Sequence, residues 1–97
     1  MRHRYLVAYD VSDPKRLRQV FKKLHGFGDP VQYSVFLCSL SDVEKMKMRE
    51  CLGGIIHHAE DRVMIVDIGP TEGRAAVAFE YLGEPLPAPQ AETAVIV

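Results

Sequence analysis

The fold of this chain is decided by one stretch of sequence, Tyr5-Leu6-Val7-Ala8-Tyr9-Asp10-Val11-Ser12-Asp13-Pro14. Its apolar first half is rich in aromatic and branched residues, which predicts a buried strand. Its second half is typical of a helix start, with Ser12 or Asp13 as N-cap and Pro14 at the first helical position. Asp10 is left over as a carboxylate at the carboxyl end of the strand. In sheets with crossover helices, sites are built at that end.

The first helix is predicted from about Pro14 to His25, with Gly26 as its stop. Its apolar positions follow the i, i+3, i+4, i+7 spacing of a helix with one buried face: Leu17, Val20, Phe21 and Leu24. The rest of its surface carries five cations and no acid: Lys15, Arg16, Arg18, Lys22 and Lys23. A solvated helix face is the ordinary explanation of such a run, and contact with phosphate groups is the functional one.

Strands and helices continue to alternate as far as Pro70. The predicted elements are strand segments from Val31 to Leu40 broken near Gln32–Ser34, a helix opened by the capping box of Ser41 and Glu44, and a strand over Val63–Ile68. The order strand, helix, two strands, helix, strand is that of the split βαβ arrangement. We therefore predict an α+β fold, a ferredoxin-like βαββαβ sandwich.

The C-terminal part of the chain predicts an additional strand. Residues 76–82 alternate in polarity as a strand does, residues 83–89 contain three prolines, and residues 93–97 are mostly apolar. We expect a ferredoxin-like domain over residues 1–82, followed over residues 83–97 by a proline-containing connector and a C-terminal strand. Because the open edge of a small sheet can accept a strand, this last strand is expected to pair with a partner protomer.

The composition is that of a small globular protein. A chain of 97 residues, 47% hydrophobic and 26% charged, can bury one modest core. No apolar run approaches the roughly 18–20 residues of a membrane span, and Asp10 interrupts the N-terminal run before it reaches the length of a secretory signal. We expect a cytoplasmic protein with no membrane partner. Cys38 and Cys51 fit a reducing compartment and are too few for a disulfide framework.

The net charge of −1 hides an uneven distribution. Seven of the 12 lysines and arginines precede residue 25, where only Asp10 and Asp13 oppose them. Such asymmetry predicts a surface that faces a polyanion.

A histidine pair offers a weaker candidate site. His57 and His58 lie near Glu60 and Asp61, a composition that could suit a metal. Adjacent histidines rarely point the same way, and no cysteine lies at ligand spacing. We therefore do not expect a metal cluster there.

Three segments together resemble the CRISPR-associated protein two family: Tyr9-Asp10-Val11-Ser12-Asp13, the basic first helix, and Val31-Gln32-Tyr33-Ser34-Val35-Phe36. The resemblance runs from Tyr5 to about Gly69. It implies a small ferredoxin-like protein of prokaryotic antiviral defence, which forms a homodimer with exchanged C-terminal strands and associates with the CRISPR integrase subunit during spacer acquisition. Some members are metal-dependent endonucleases acting on single-stranded RNA or double-stranded DNA. Some also have an arginine before the Val-Gln pair, where this chain has Pro30.

Carried over by position, the resemblance makes Asp10 the catalytic and metal-binding aspartate, with Mg²⁺ as the cofactor. It places Phe36 near the site and implies nucleic-acid contacts by basic residues of the first helix, here Arg16 and Arg18. We add Lys22, which lies on the same basic helix.

A single carboxylate is a poor catalyst, and two-fold symmetry would supply a second. Two Asp10 side chains facing each other across an axis could share one Mg²⁺, which keeps several waters and often takes one or two carboxylates. A metal-activated water could then attack a phosphate. The alternative is that Asp10 accepts hydrogen bonds from the backbone of the turn. Phe36 also has two interpretations, a core side chain or an aromatic that stacks on a base.

Three functions remain open on the sequence. The first is a homodimeric nucleic-acid-binding protein of CRISPR adaptation with a Mg²⁺-dependent endonuclease site at paired Asp10, acting on RNA or DNA. The second is a non-catalytic scaffold that bridges integrase subunits and holds the duplex through its basic helices. The third is a ferredoxin-like regulatory module that binds a small molecule. Against the third stands the lack of a glycine-rich ligand loop between strand and helix.

Overall fold

The computed structural model describes residues 1–72 and 79–84. Six elements follow one another along the chain: β1 His3–Asp10, α1 Pro14–Leu24, β2 Gly28–Gln32, β3 Val35–Leu40, α2 Asp42–Ile55 and β4 Arg62–Pro70. The strands form one four-stranded antiparallel sheet in the order β2-β3-β1-β4. The predicted α+β, ferredoxin-like order is confirmed.

The core lies between one face of the sheet and the two helices. Alternate residues of β1 and β3 point into it and are at most 7% exposed: Tyr5, Val7, Tyr9, Phe36, Cys38 and Leu40. The helices complete the core with Val20 and Leu24 from α1 and Met48 and Leu52 from α2. Because strand side chains alternate, the intervening residues of β1 and β3 lie on the opposite face of the sheet.

The start of α1 shows which residue caps the helix. Asp13 is the N-cap, and its carboxylate accepts hydrogen bonds from the backbone N–H groups of Lys15 and Arg16 at 3.0 and 2.9 Å. Pro14 takes the first helical position, as predicted. The capping oxygen therefore comes from Asp13, and Ser12 is free to donate its backbone N–H elsewhere.

Only part of the predicted apolar face of α1 enters the core. Val20 and Leu24 are fully buried, whereas Leu17 is 38% and Phe21 44% exposed. The helix therefore leaves two large apolar side chains at its outer margin.

The predicted capping box opens α2. The Ser41 hydroxyl accepts from the Glu44 backbone N–H at 3.2 Å, and the Glu44 carboxylate accepts from the Ser41 backbone N–H at 2.9 Å. The helix continues through Gly53 and Gly54 to Ile55. Met48 and Leu52 anchor it in the core, which offsets the weak helix propensity of two glycines.

The predicted break in the long second strand is confirmed, but its first segment begins earlier than expected. Tyr33 and Ser34 form the turn between β2 and β3, with Ser34 at a φ of +64°. β2 starts at Gly28, three residues before the predicted start at Val31, because glycine and proline also occur in edge strands. A Cβ at Gly28 would lie 2.4 Å from the Leu37 carbonyl oxygen, so only glycine fits there.

The C-terminal predictions fall mostly outside the described residues. Of the strand predicted over residues 76–82, residues 79–82 are described and lie in no strand. The strand predicted over residues 93–97, and with it the division of the chain after residue 82, stays a prediction. Within the described residues, no helix is long and apolar enough to cross a membrane.

Candidate functional site

Asp10 is the last residue of β1, an inner strand of the sheet, and is exposed. Arg62 of β4 lies beside it in the register, and on its other side the Ser34 carbonyl oxygen accepts from the Tyr9 backbone N–H at 3.0 Å. Within the described residues, none of the ion pairs involves Asp10. The hydrogen bonds of the turn go to other aspartates, since Asp13 caps α1 and Asp61 receives Ser12. The carboxylate of Asp10 is thus available to a ligand.

Arg16 is engaged inside the protein. Its Nε donates to Asp61 Oδ2 at 2.8 Å, and its Nη2 lies 3.3 Å from Asp61 Oδ1 and 3.2 Å from Glu60 Oε1. These contacts turn its guanidinium towards the α2–β4 connection. The predicted role of Arg16 in nucleic-acid binding stays a prediction, and the structure gives this side chain another partner.

Asp61 receives four hydrogen bonds on a side chain with no exposed surface. Besides those of Arg16, it accepts from the His57 backbone N–H at 2.8 Å and from the Ser12 backbone N–H at 3.3 Å. The hydrogen bond from Arg16, followed by that from His57, lowers the pKa of Asp61 to about 2. Asp61 is therefore ionised throughout the neutral range.

Sequence reasoning missed Asp61 as a structural centre. An aspartate directly before an apolar strand suggests a solvated strand end, and only its distant partners, 45 and 49 residues away, reveal the burial. The neighbouring histidines do not converge: the His57 Nδ1 accepts from the Ala59 backbone N–H, and His58 Nε2 contacts the Gly53 carbonyl. The expectation that this turn holds no metal cluster stays a prediction.

The outer face of α1 is basic and exposed. Lys15, Arg18 and Lys22 follow one another at helical spacing and line an open hollow of about 480 Å³ with Gln19, Phe21 and His25. Within the described residues, none of the ion pairs uses Arg18 or Lys22. Their charges therefore face solvent, as a surface for phosphate groups would require.

Phe36 is fully buried. Its ring packs edge-on against Phe21 and His25, with centroids 5.5 and 5.3 Å apart. Phe21 and His25 are the exposed members of this aromatic group. The predicted contact of Phe36 with nucleic acid stays a prediction, and the structure places this ring in the core.

The centre of the sheet face opposite the helices is apolar. Six of its residues share this character: Leu6, Ala8, Val35, Leu37, Met64 and Val66. Met64 is 55% and Val66 39% exposed, and none of the six is buried. We call these residues the open face. Asp10 and Arg62 lie at its edge.

The donor set fits Mg²⁺ only in part within one chain. The described residues contain no group of three or more His, Cys, Asp or Glu side chains that could hold a metal. Asp10 offers one exposed carboxylate, and Mg²⁺ is often held by one or two carboxylates with waters completing its shell. A second Asp10 from a partner protomer would supply the pair.

Comparison with known proteins identifies the family. The family described as CRISPR associated protein Cas2 matches residues 1–74. A CRISPR-associated endoribonuclease Cas2 of Geobacter sulfurreducens is 46% identical over 72 residues, covering 74% of this chain and 76% of the relative. The CRISPR-associated endoribonuclease Cas2 1 of Rhodospirillum rubrum is 45% identical over 82 residues, covering 84% and 79%.

Solved structures share the fold. The crystal structure of Streptococcus pyogenes Cas2 superposes with a TM-score of 0.72 at 34% identity, covering 82% of this chain and 99% of that one. A hypothetical protein from Thermus thermophilus superposes with a TM-score of 0.75 at 29% identity, covering 93% and 100%. The family match over the whole described sheet and the superposed sandwich agree, and the chain belongs to the CRISPR-associated Cas2 family.

Proposed function

We propose that this protein is a homodimeric nucleic-acid-binding component of CRISPR adaptation, and that it hydrolyses phosphodiester bonds in RNA or DNA with Mg²⁺ at two paired Asp10 carboxylates. The names of the Geobacter and Rhodospirillum relatives, both called endoribonucleases, support the nuclease activity. The observation that carries the proposal is the carboxylate of Asp10, exposed at the edge of the open face and free of ion pairs within the described chain.

The open face supports a homodimer. Apolar side chains that alternate with core residues are expected to be covered, and six of them cluster here on three strands. Two copies related by a two-fold axis would cover each other, because such an interface uses the same surface twice. If the axis passes close to Asp10, at the edge of this face, it brings the two copies of the carboxylate towards each other.

Asp10 would hold the metal, and the chain's own residues would place the substrate. When bound, Mg²⁺ supplies positive charge that stabilises the developing charge on a phosphate. Arg18 and Lys22 would hold the backbone of the nucleic acid through its phosphates, without regard to sequence. Arg62 pairs with Asp10 in the register and would add a second positive charge beside the phosphate to be cleaved.

The experiment compares Asp10→Asn with Asp42→Asn, an exposed aspartate at the start of α2. Asn keeps the shape of the side chain but removes two negative charges per dimer, and Mg²⁺ favours anionic oxygen. We expect Asp10→Asn to abolish Mg²⁺-dependent cleavage of RNA and DNA while its melting temperature and dimer stay as in wild type. Asp42→Asn should cleave normally.

The same experiment decides between the nuclease and the scaffold. If wild type cleaves neither RNA nor DNA with Mg²⁺, and Asp10→Asn supports spacer acquisition as well as wild type, the protein acts as a non-catalytic bridge between integrase subunits. If Asp10→Asn loses stability and keeps its activity, Asp10 stabilises the turn and does not bind the metal.

A further inference from the structure

Asp61 is the one buried charged residue among those the structure describes. Burying an ionised carboxylate is unfavourable unless hydrogen bonds and an opposite charge replace its water. Both oxygens of Asp61 are satisfied: Oδ2 by Arg16 Nε and the His57 N–H, each at 2.8 Å, and Oδ1 by the Ser12 N–H and Arg16 Nη2, each at 3.3 Å. Because all four hydrogen bonds are made, Asp61 holds in place the segments that donate to it.

Those donors come from three separate segments. Ser12 lies between β1 and α1, Arg16 in the first turn of α1, and His57 just after α2. The turn that carries Asp61 is itself closed, because the backbone N–H groups of Glu60 and Asp61 donate to the His57 carbonyl at 2.9 and 2.8 Å. Asp61 therefore ties the start of one helix to the end of the other.

Asp10 lies two residues before Ser12, and the buried Val11 stands between them. On the strand side, pairing of β1 with β4 continues as far as Asp10 and Arg62. On the helix side, the Ser12–Asp61 hydrogen bond holds the chain. The backbone is thus held on both sides of Asp10, which fixes the position of its Cα atom and the direction in which its side chain leaves the backbone.

We propose that Asp61, held by Arg16, is the positioning residue of the Asp10 site. The inference rests on the proposed role of Asp10 as a Mg²⁺ ligand. Asp61 is not a ligand itself, since four donors already occupy its oxygens. Arg16 acts on the site through Asp61, because its guanidinium is engaged by Asp61 and Glu60.

The test measures the Mg²⁺ affinity of the full-length dimer by calorimetry. Asp61→Asn and Arg16→Met each break the pair, and Arg18→Met removes an exposed arginine of the same helix as the matched control. We expect a loss of about 10- to 100-fold in Mg²⁺ affinity for either pair variant, the usual effect of removing the support of a metal ligand. The double variant should lose no more than the worse single one, because both act through one contact. Arg18→Met should bind Mg²⁺ as wild type does.

A destabilised control separates positioning from general loss of structure. Leu40→Ala removes a core side chain at the opposite end of β3 from Asp10 and should lower the melting temperature without changing Mg²⁺ affinity. If Leu40→Ala weakens Mg²⁺ binding as much as Asp61→Asn does, or if neither pair variant weakens it, the positioning role is refuted.

A second readout keeps this inference distinct from the proposed function. If wild type binds no Mg²⁺, the metal role of Asp10 fails, and amide hydrogen exchange still tests the positioning. We expect the Ser12 amide to exchange at least tenfold faster in Asp61→Asn than in Leu40→Ala at equal global stability. Equal exchange in the two variants would overturn the inference.

Discussion

The two faces of the sheet are built from alternating residues of the same strands, yet they differ in how far they are covered. On the inner face, Val7, Phe36 and Cys38 have no exposed surface and lie under the two helices. On the open face, their neighbours Leu6 and Leu37 are only partly covered within the described chain. Apolar residues on both faces are typical of a sheet that is covered on both sides, which supports the dimer proposed above.

The charges near the two faces differ in the same way. Asp61, at the helix side, has all its hydrogen bonds satisfied within the chain. Asp10, at the edge of the open face, takes part in no ion pair within the described residues. A satisfied buried charge fixes architecture, whereas an exposed charge without an internal partner is available to a ligand.

The largest expected effect comes from placing a charge on the open face. Leu37→Asp would bury a carboxylate against the partner, which costs about 3 kcal/mol or more and corresponds to about a hundredfold weaker dimer. Sedimentation at micromolar concentration should find the variant monomeric, with the circular dichroism spectrum of a folded chain. Val43→Asp, on the exposed first turn of α2, is the control and should remain dimeric. A dimeric Leu37→Asp would place the interface elsewhere.

An intermediate effect is expected from the outer face of α1. Replacing Arg18 and Lys22 with Ala removes two phosphate contacts per protomer. For each protomer whose helix contacts the duplex, binding should weaken about 30-fold at physiological salt and the salt slope should flatten by about 1.8. The loss should be the same for unrelated sequences, since phosphates carry no sequence information. The matched pair Lys47 and Arg49, exposed on α2, should change neither quantity when replaced. Equal effects of both pairs would mean that only net charge matters.

The smallest expected effect is a pH dependence of the stability that Asp61 contributes. The pKa of Asp61 is about 2 in the folded chain against an ordinary 3.8, because Arg16 and the His57 N–H bind the ionised form. A depressed pKa contributes stability that is fully present above about pH 4 and is lost as the pH falls towards 2. Urea midpoints of wild type should therefore fall more steeply over this range than those of Asp61→Asn. The pKa values of Asp67 and Glu44 are also lowered. Because wild type and Asp61→Asn both contain these residues, their contributions cancel in the comparison. Parallel curves would show that Asp61 contributes no pH-dependent stability.

Much of the fold could be predicted because its signals are local. The capping box of Ser41 and Glu44, the proline at the first position of α1 and the turn near Ser34 each depend on residues close in sequence. The start of β2 was wrong by three residues, since Gly28 and Pro30 carry the same signals in a loop and in an edge strand. The choice of Asp13 over Ser12 as N-cap also needed the structure.

The order of elements, the placement of Asp10 at a strand end and the basic character of α1 could all be predicted from the sequence, because periodicity, capping and charge are properties of neighbouring residues. Which charges face inwards depends on long-range contacts and became visible only in the folded chain. Arg16 and Arg18 are alike in the sequence, and the fold pairs Arg16 with Asp61, 45 residues away, while leaving Arg18 exposed. Phe36 and Phe21 also differ in exposure, because the fold buries Phe36 and leaves Phe21 at the surface. The burial of a side chain depends on contacts between residues that are distant in the sequence, and a local sequence pattern does not contain that information.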